Sequence, residues 1–505
     1  MREDWIECTF EDLLDYEQPT NYIVKSTKYC DDYKTPVLTA GKSFIKGYTN
    51  ETTGIFNDLP TIIFDDFTTA TQFVDFEFKV KSSAMKILVP TSKLVNMKFV
   101  YNCIQVNQVR NDTHKRYWIS VYAKKKILLP PLAEQNAILA KTEEIFSDLD
   151  NGIANFKIAQ EQLKIYRQAV LKKAFEGELT KEWREKQSNL PTAEELLKQI
   201  KQERQNHYNQ QIEYWKKATK EWEKKGIIGS RPSKPQTLKV LPPLKEDELE
   251  ELFALPKGWV WVKLGNCTSK LSDGPFGSHL KTDDYVENGI RVIRLENIKN
   301  LFFDDSKKSY VSIEKYNSIS NHTVNPGDII FSTFIADETK VAIIPINIDK
   351  AINKADCICI RPFNNLNNKY LEFFLSTHYT YNQLVNQIHG ATRPRVNTTQ
   401  IKSVPFIICS LSEQHQIVQE IEFRLSVCDK VEQSITESII KAEALRQSIL
   451  KKAFEGKLLS QAEIKQCKAA ADYEPACVLL KKIKAEKLAK EQEKKKPTIK
   501  KKSKK

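Results

Sequence analysis

The chain has 505 residues, 41% of them hydrophobic and 28% charged, with a net charge of +13. That length exceeds what one hydrophobic core organises and points to three or four folding units of a soluble globular protein. A membrane-embedded chain is excluded by the lack of any apolar run of spanning length, the opening MREDWIECTF is no signal pattern, and a cytoplasmic location is expected.

Residues 1 to 128 read as a first mixed α/β domain, with short β-type runs such as TIIF, FVDFEFKV and AMKILV punctuated by glycine, asparagine and proline. Loops that mix basic, aromatic and small polar residues are the ones that reach phosphates and base edges. Here they supply Gly41, Lys42, Ser43, Lys46 and Tyr48, then Thr68 and Thr69, then Lys115, Arg116, Tyr117 and Trp118. Asp65 or Asp66 at a strand end, with Glu77-Phe78-Lys79 on the next, imitates the acid, acid and lysine set that holds Mg²⁺ in nucleases. The second domain does not repeat it, because Ser332-Thr333 stand at the equivalent place.

Residues 129 to 180 read as a long helix, and they recur at 408 to 458. RQAVLKKAFEG from Arg167 matches RQSILKKAFEG from Arg446, and LAEQNAIL from Leu132 matches LSEQHQIV from Leu411, both at an offset of 279 with no gap. Between these ends the apolar residues fall three and four apart: Ile138, Ile145, Leu149, Phe156, Leu163, Tyr166 and Val170, with Gly152 and Ala159, in the first copy. In the second they are Ile417, Ile421, Cys428, Val431, Ile435, Ala442, Leu445 and Ile449. Each helix would be about 65 Å long and needs a partner for its stripe. The cheapest partner is its own copy, packed antiparallel about a pseudo-twofold axis. Gly177 and Gly456 follow as left-handed C-caps.

Residues 181 to 254 form a charged helical linker, in which Thr192-x-x-Glu195 is a capping box, the helix runs to about Lys225, and GSRPSKP breaks it. Trp183, Trp215 and Trp222 on so polar a stretch suggest a docking surface, with packing back onto the coiled coil as the favoured reading. Residues 255 to 407 read as a second mixed domain, with faint correspondences to the first: Trp261-Val262 with Trp5-Ile6, and Ile329-Ile330-Phe331 with Ile62-Ile63-Phe64. Its candidate readers are Ser272, Gly274, Phe276, Ser278, His279 and Lys281, then Arg294 and Asn297, then Arg393, Arg395 and Asn397. Residues 459 to 505 are helical, with LLKKIKAEK from Leu479 echoing LLKQIKQER from Leu196, and end in a lysine-rich tail expected to be disordered. Thirteen lysines against three glutamates between Lys481 and Lys505 leave only about +3 elsewhere, so the net charge is a weak argument for nucleic acid. The ten cysteines lack ligand spacing and read as reduced thiols; P-loop, methyl-transfer, HExxH and GxSxG motifs are all missing.

The order of variable domain, helix, variable domain, helix, with LPPLAEQNAIL, SLSEQHQIV and the paired LKKAFEG ends, resembles the specificity subunit of type I restriction-modification systems. AGKSFIKGYTN and LPKGWVWVKLG with SDGPFGSHLK look like two kinds of target-recognition domain, and Cys409-Ser410 depart from the Pro130-Pro131 of the first copy. The resemblance implies an α+β protein without an active site or cofactor of its own, whose two domains each read half of a bipartite site in double-stranded DNA while the coiled coil fixes the spacer. It also implies two modification subunits that use S-adenosylmethionine to methylate adenine N6, and restriction subunits that use ATP and Mg. Within the repeats the expected partner contacts are Glu134, Gln135, Lys172, Lys173 and Phe175, and Glu413, Gln414, Lys451, Lys452 and Phe454. A stand-alone DNA-binding or scaffolding protein, or a Mg-dependent nuclease, are the alternatives.

Overall fold

A computed structural model describes residues 2–41, 43–107, 116–224, 231–388 and 394–495. The chain divides into two compact units, Met1–Ile158 with Ile435–Lys505, and Ala159–Ser434. Each unit therefore combines one variable domain, the start of the helix that follows it, and the end of the other long helix. The unit boundaries fall inside both helices because each helix is buried at its ends and much less in its middle.

In the first unit the opening strand Ile6–Thr9 pairs antiparallel with the closing strand Lys126–Leu129, which delivers the chain to the helix. Between them lies an antiparallel sheet in the order Leu14–Glu17, Met85–Pro90, Thr61–Asp65, Thr71–Val74. A three-stranded sheet runs Ile45–Thr49, Thr35–Leu38, Lys79–Val80, the last two parallel. Helix Met97–Val106 starts at Asn96, whose side chain accepts from the Phe99 amide. Phe64 anchors the core, edge-on to Trp118 at 5.5 Å and to Tyr122 at 5.1 Å.

The second unit repeats the plan in a different sequence. Val260–Lys263 pairs with Pro405–Ile408, and a four-stranded antiparallel sheet runs Thr268–Ser272, Cys357–Pro362, Ile329–Ser332, Val341–Ile343. A five-stranded sheet contains Ile290–Ile293 beside Ala351–Asn353 in parallel, and helix Asn368–Leu375 is capped by Asn367. Ile329-Ile330-Phe331 occupies the same third strand as Ile62-Ile63-Phe64. The tryptophan correspondence shifts by two residues: Trp5 corresponds to Trp259, the residue just before the opening strand. Trp261 instead lies among Phe253 and Tyr379.

The long helices span Leu132–Phe175 and Leu411–Phe454, 44 residues each. Arg167 binds Asp429 at 2.7 Å and Glu432 at 2.9 Å in the second unit. In the first unit Arg446 binds Asp150 and lies over the Phe146 ring at 4.5 Å. These two arginine–aspartate pairs are copies of one another at the offset of 279, and rising numbers in one helix meet falling numbers in the other, as antiparallel pairing requires. Gly177 (φ 79°) and Gly456 (φ 75°) end the helices in the left-handed region, with Glu178 and Lys457 donating back to Lys173 and Lys452. The seam is narrower than the sequence suggests. Tyr166, Val431 and Leu445 are exposed, and an added Cβ on Gly152 meets nothing within 4 Å, because a two-helix contact covers only one side of the stripe.

The segments after the helices close each unit. Leu196 and Ile200, on helix Ala193–Lys224, are buried in the second unit's core, as Leu479 and Ile483 are in the first. The linker is thus a packed helix with its expected capping box between Thr192 and Glu195. Arg204 on it donates to the carbonyls of Gly265, Asn266, Leu238 and Lys239. Trp215 packs on the returning strap rather than the coiled coil, donating to the Pro232 carbonyl at 3.0 Å. The tail remains helical to Lys495; residues 496–505 lie outside the described residues.

Each joint between domain and helix is a buried carboxylate. Glu134 accepts from Trp5 Nε1 and Arg2 Nη1, both at 2.8 Å. Glu413 accepts from Trp259 Nε1 at 2.8 Å, Thr180 Oγ1 at 2.9 Å and Arg184 Nη1 at 3.1 Å. Both glutamates are 1% exposed. The neighbouring Gln135 and Gln414 are also buried and donate to the carbonyls of Pro130 and Cys409. Expected as partner contacts, these four side chains are internal fasteners instead. Because the glutamines use a backbone carbonyl, cysteine at 409 preserves the bond that the first copy makes to proline.

Glu413→Ala leaves Trp259, Thr180 and Arg184 without their buried acceptor, so urea unfolding should show a loss of about 3–5 kcal/mol. Lys141 holds the Glu463 carboxyl down at about 2, against an ordinary 4.5. A depressed carboxylate stabilises above its ordinary value and loses that contribution as pH falls. An acid titration should therefore show the first unit weakening between about pH 4.5 and 2, with a smaller slope in Glu463→Gln.

Candidate nucleic-acid interface

In the second unit, four turns at strand ends meet. Asp273 Oδ1 accepts from the amides of Gly274 at 2.7 Å and Asp356 at 3.0 Å. Gly274 lies so close to the 353–354 backbone that a Cβ would fall 2.2 Å from the Lys354 carbonyl carbon, which is why glycine is needed there. The Lys354 amide bonds to the Ile293 carbonyl at 2.9 Å. Arg294 and Lys354 both lie over the Tyr285 ring, at 5.8 and 5.6 Å. The Asp356 carbonyl accepts from the Thr333 amide at 3.0 Å, and the Thr333 carbonyl from Val396 at 2.9 Å. Arg395 stacks on Phe334 at 4.2 Å and meets Asp356 at 3.5 Å. Burial raises the Asp273 carboxyl above its ordinary range. Ser272 Oγ, Tyr285 OH and Asn353 Oδ1 are buried there without a hydrogen-bond partner among the described residues. The cations and the aromatic faces make a surface suited to phosphates and base edges.

Of the residues expected from sequence, Ser272, Gly274, Arg294 and Arg395 come together here. Phe276, Ser278, His279 and Lys281 are exposed on the adjoining loop, Phe276 at 68%. Asn297 is not a reader: it is 1% exposed and donates to the Asp304 and Lys307 carbonyls. Asn397 caps helix Thr398–Ser403, accepting from Thr399 and Gln400. Arg393 lies outside the described residues. Tyr285, Phe334, Lys354 and Asp356 were missed, since only folding brings them to this cluster.

In the first unit Asp65 closes a turn by accepting from the amides of Phe67 and Thr68. Phe67 is 49% exposed, and Thr69 is buried at φ 59°. Arg116 is exposed, while Tyr117 and Trp118 are buried core residues whose amides bond to Asp66 O and Oδ1 at 3.1 and 2.8 Å. Ser43 and Lys46 are exposed, and Tyr48 half-buried, on the hairpin of Thr35–Leu38 and Ile45–Thr49. Phe44 from that hairpin lies 6.1 Å from Phe76. Lys42 and Lys115 lie outside the described residues.

The acid and lysine set does not converge as a metal site would require. Asp66 is held by the Trp118 amide and by buried Lys86 at 3.7 Å. Lys79 is turned to Glu51 at 3.1 Å and to the Thr53 carbonyl at 2.6 Å, while Glu77 is exposed.

Residues 256–441 match the family model described as the type I restriction modification DNA specificity domain. Over 185 residues the chain is 43% identical to the type I restriction enzyme EcoR124I/EcoR124II specificity subunit of Escherichia coli, covering 34% of this chain and 45% of that protein. Over 416 residues it is 24% identical to the EcoDI specificity subunit of Escherichia coli, covering 78% of each. The fold is similar to a solved structure from a study of complex assembly and conformational transition of the type I R-M system, with a TM-score of 0.58, 15% identity, and coverage of 91% of this chain and 99% of that one.

Removing the Asp66 carboxylate strands the Trp118 amide and the Lys86 ammonium. Thermal or urea unfolding of Asp66→Ala should show a loss of about 1–3 kcal/mol; an unchanged stability would mean that this carboxylate is not the fastener of the turn.

Proposed function

We propose that this chain, a member of the type I restriction-modification specificity family, chooses DNA sequence for partner enzymes and performs no chemistry itself. One observation carries the reading: two domains of one fold and different loops, each fastened by a corresponding buried glutamate to one of two repeated helices of equal length. Divergence in loops and constancy in the frame suit a reader whose two targets differ and whose spacing is fixed. Each domain would read one half of a bipartite site in double-stranded DNA, the first through the turns around Thr68 and Arg116 and the hairpin around Lys46, the second through the cluster around Tyr285 and Arg395. The helices would act as the ruler for the spacer.

The repeat also favours two copies of one partner. Gln168, Lys172, Phe175 and Glu176 line a groove in the second unit, and their counterparts Gln447, Lys451, Phe454 and Glu455 line one in the first. Phe175 is buried on Tyr370 and Phe374 and Phe454 packs on Phe99, so the phenylalanines floor the grooves. Lys172, Lys173, Lys451 and Lys452 are exposed at the same helix ends. Two modification subunits docked there would carry S-adenosylmethionine and methylate adenine N6 on a flipped base. Restriction subunits would bring ATP and Mg. The setting would be the cytoplasm, where such partner enzymes meet DNA.

The direct test is co-expression with the modification subunit: a stable complex that methylates adenines within one bipartite motif is expected, and a chain that binds DNA but recruits no methyltransferase would contradict the reading. The ruler is tested by adding one heptad to both helices, between Asp150 and Arg167 and between Asp429 and Arg446, which keeps both ion pairs. At 1.5 Å per residue the methylated motif should keep both half-sites and gain about three base pairs of spacer; an unchanged spacer would sink it.

A further inference from the structure

We infer that Arg395 reads a guanine in the half-site of the second domain, with Asp356 and Phe334 as the residues that position it. The inference rests on the proposed DNA-reading role and adds the base and the side chain. Three observations carry it. First, Arg395 is 53% exposed yet not free to wander, since its guanidinium is stacked on Phe334 at 4.2 Å and held by Asp356 at 3.5 Å. Asp356 meets it at Nη1; a guanidinium has five donors in a planar fork, more than one carboxylate contact occupies. Guanine O6 and N7 present the two-acceptor edge that such a fork fits.

Second, the turn that aims Arg395 is over-determined. Asp356 adopts φ 71°, in the left-handed region that a non-glycine residue occupies at a cost. Its amide is held by Asp273, its carbonyl by the Thr333 amide, and its carboxylate by Thr333 Oγ1 at 3.2 Å as well as by Arg395. A plain phosphate contact would need no such orientation. Third, the station is duplicated. Val396 donates to the carbonyl of Thr333 just as Tyr117 donates to that of Asp66, and the Thr333 and Asp66 amides donate to Asp356 and Ala84. The residue preceding each donor is an arginine, Arg395 and Arg116, separated by the repeat offset of 279. At the same offset Val106-Asn107-Gln108 and Thr113 match Val385-Asn386-Gln387 and Thr392, so the arginine closes a short stretch that both domains keep.

The test uses the full chain co-expressed with its modification subunits, and the probe is a duplex DNA library whose methylated adenines are sequenced in context. Arg395→Ala and Arg395→Lys should each lose preference at one G·C pair of one half-site, with discrimination there falling about 5- to 150-fold, while the other half-site and the spacer stay as they are. Arg395→Lys keeps the charge and guards against a folding defect, and Asp356→Asn should weaken the same preference without changing the base. An unaltered motif in both arginine variants overturns the inference. So does a uniform drop in methylation at all sites with base preference intact, the signature of a phosphate contact. If the wild-type complex itself yields no bipartite motif, the specificity reading fails, and the inference falls with it.

Discussion

Neither long helix can bury its apolar stripe alone, and this constraint organises the whole molecule. The stripe is covered in part by its own copy in antiparallel register, marked by the duplicate pairs of Arg167 with Asp429 and Arg446 with Asp150. Such part-exposed ion pairs add little energy, each about 0–1 kcal/mol. Their value lies in register, since a slip of one turn would separate both. Antiparallel pairing brings the start of one helix beside the end of the other, so every domain rests on both copies and on the segment that follows a helix end.

At that junction a chain of buried polar groups joins domain to frame. The indole N–H of a tryptophan before the opening strand reaches the glutamate in the first turn of the helix, and an arginine shares the same carboxylate. The arginine comes from different places, Arg2 ahead of the first domain and Arg184 behind the first helix. The chemistry is the same, which indicates that the carboxylate needs a cation and that the chain supplies one from whichever segment passes nearby. A buried acceptor satisfied by two donors at Glu134 and three at Glu413 also fixes orientation, because no rotated placement of the domain offers the same partners.

How much of this was legible depended on whether the signal was local. The helices, their caps at Gly177 and Gly456 and the capping box at Thr192 are written in spacing and were read correctly, as was the alignment of Ile62-Ile63-Phe64 with Ile329-Ile330-Phe331. Glu134 and Glu413 were misread because a glutamate in a first helical turn normally faces water; the repeated tryptophan before each opening strand was the available clue, and it was aligned with Trp261 instead of Trp259. Arg294 and Arg395 were found as loop cations, but their companions were not. Tyr285, Phe334, Lys354 and Asp356 become a site only when strand ends separated by many residues meet, and no spacing rule encodes that. Asn297 differs from the expectation for the converse reason, since asparagine serves a buried turn as readily as a base.

The central claim is that the divergent domains choose sequence while the repeated helices set distance. It is tested most directly by replacing residues 255–407 with the corresponding domain of a relative that recognises a different site, and sequencing the methylated motif of the resulting complex. The account predicts a motif with one half-site exchanged and with the other half-site unchanged at the same spacing. A motif in which both half-sites change, or in which the spacing moves while the helices are untouched, would contradict it.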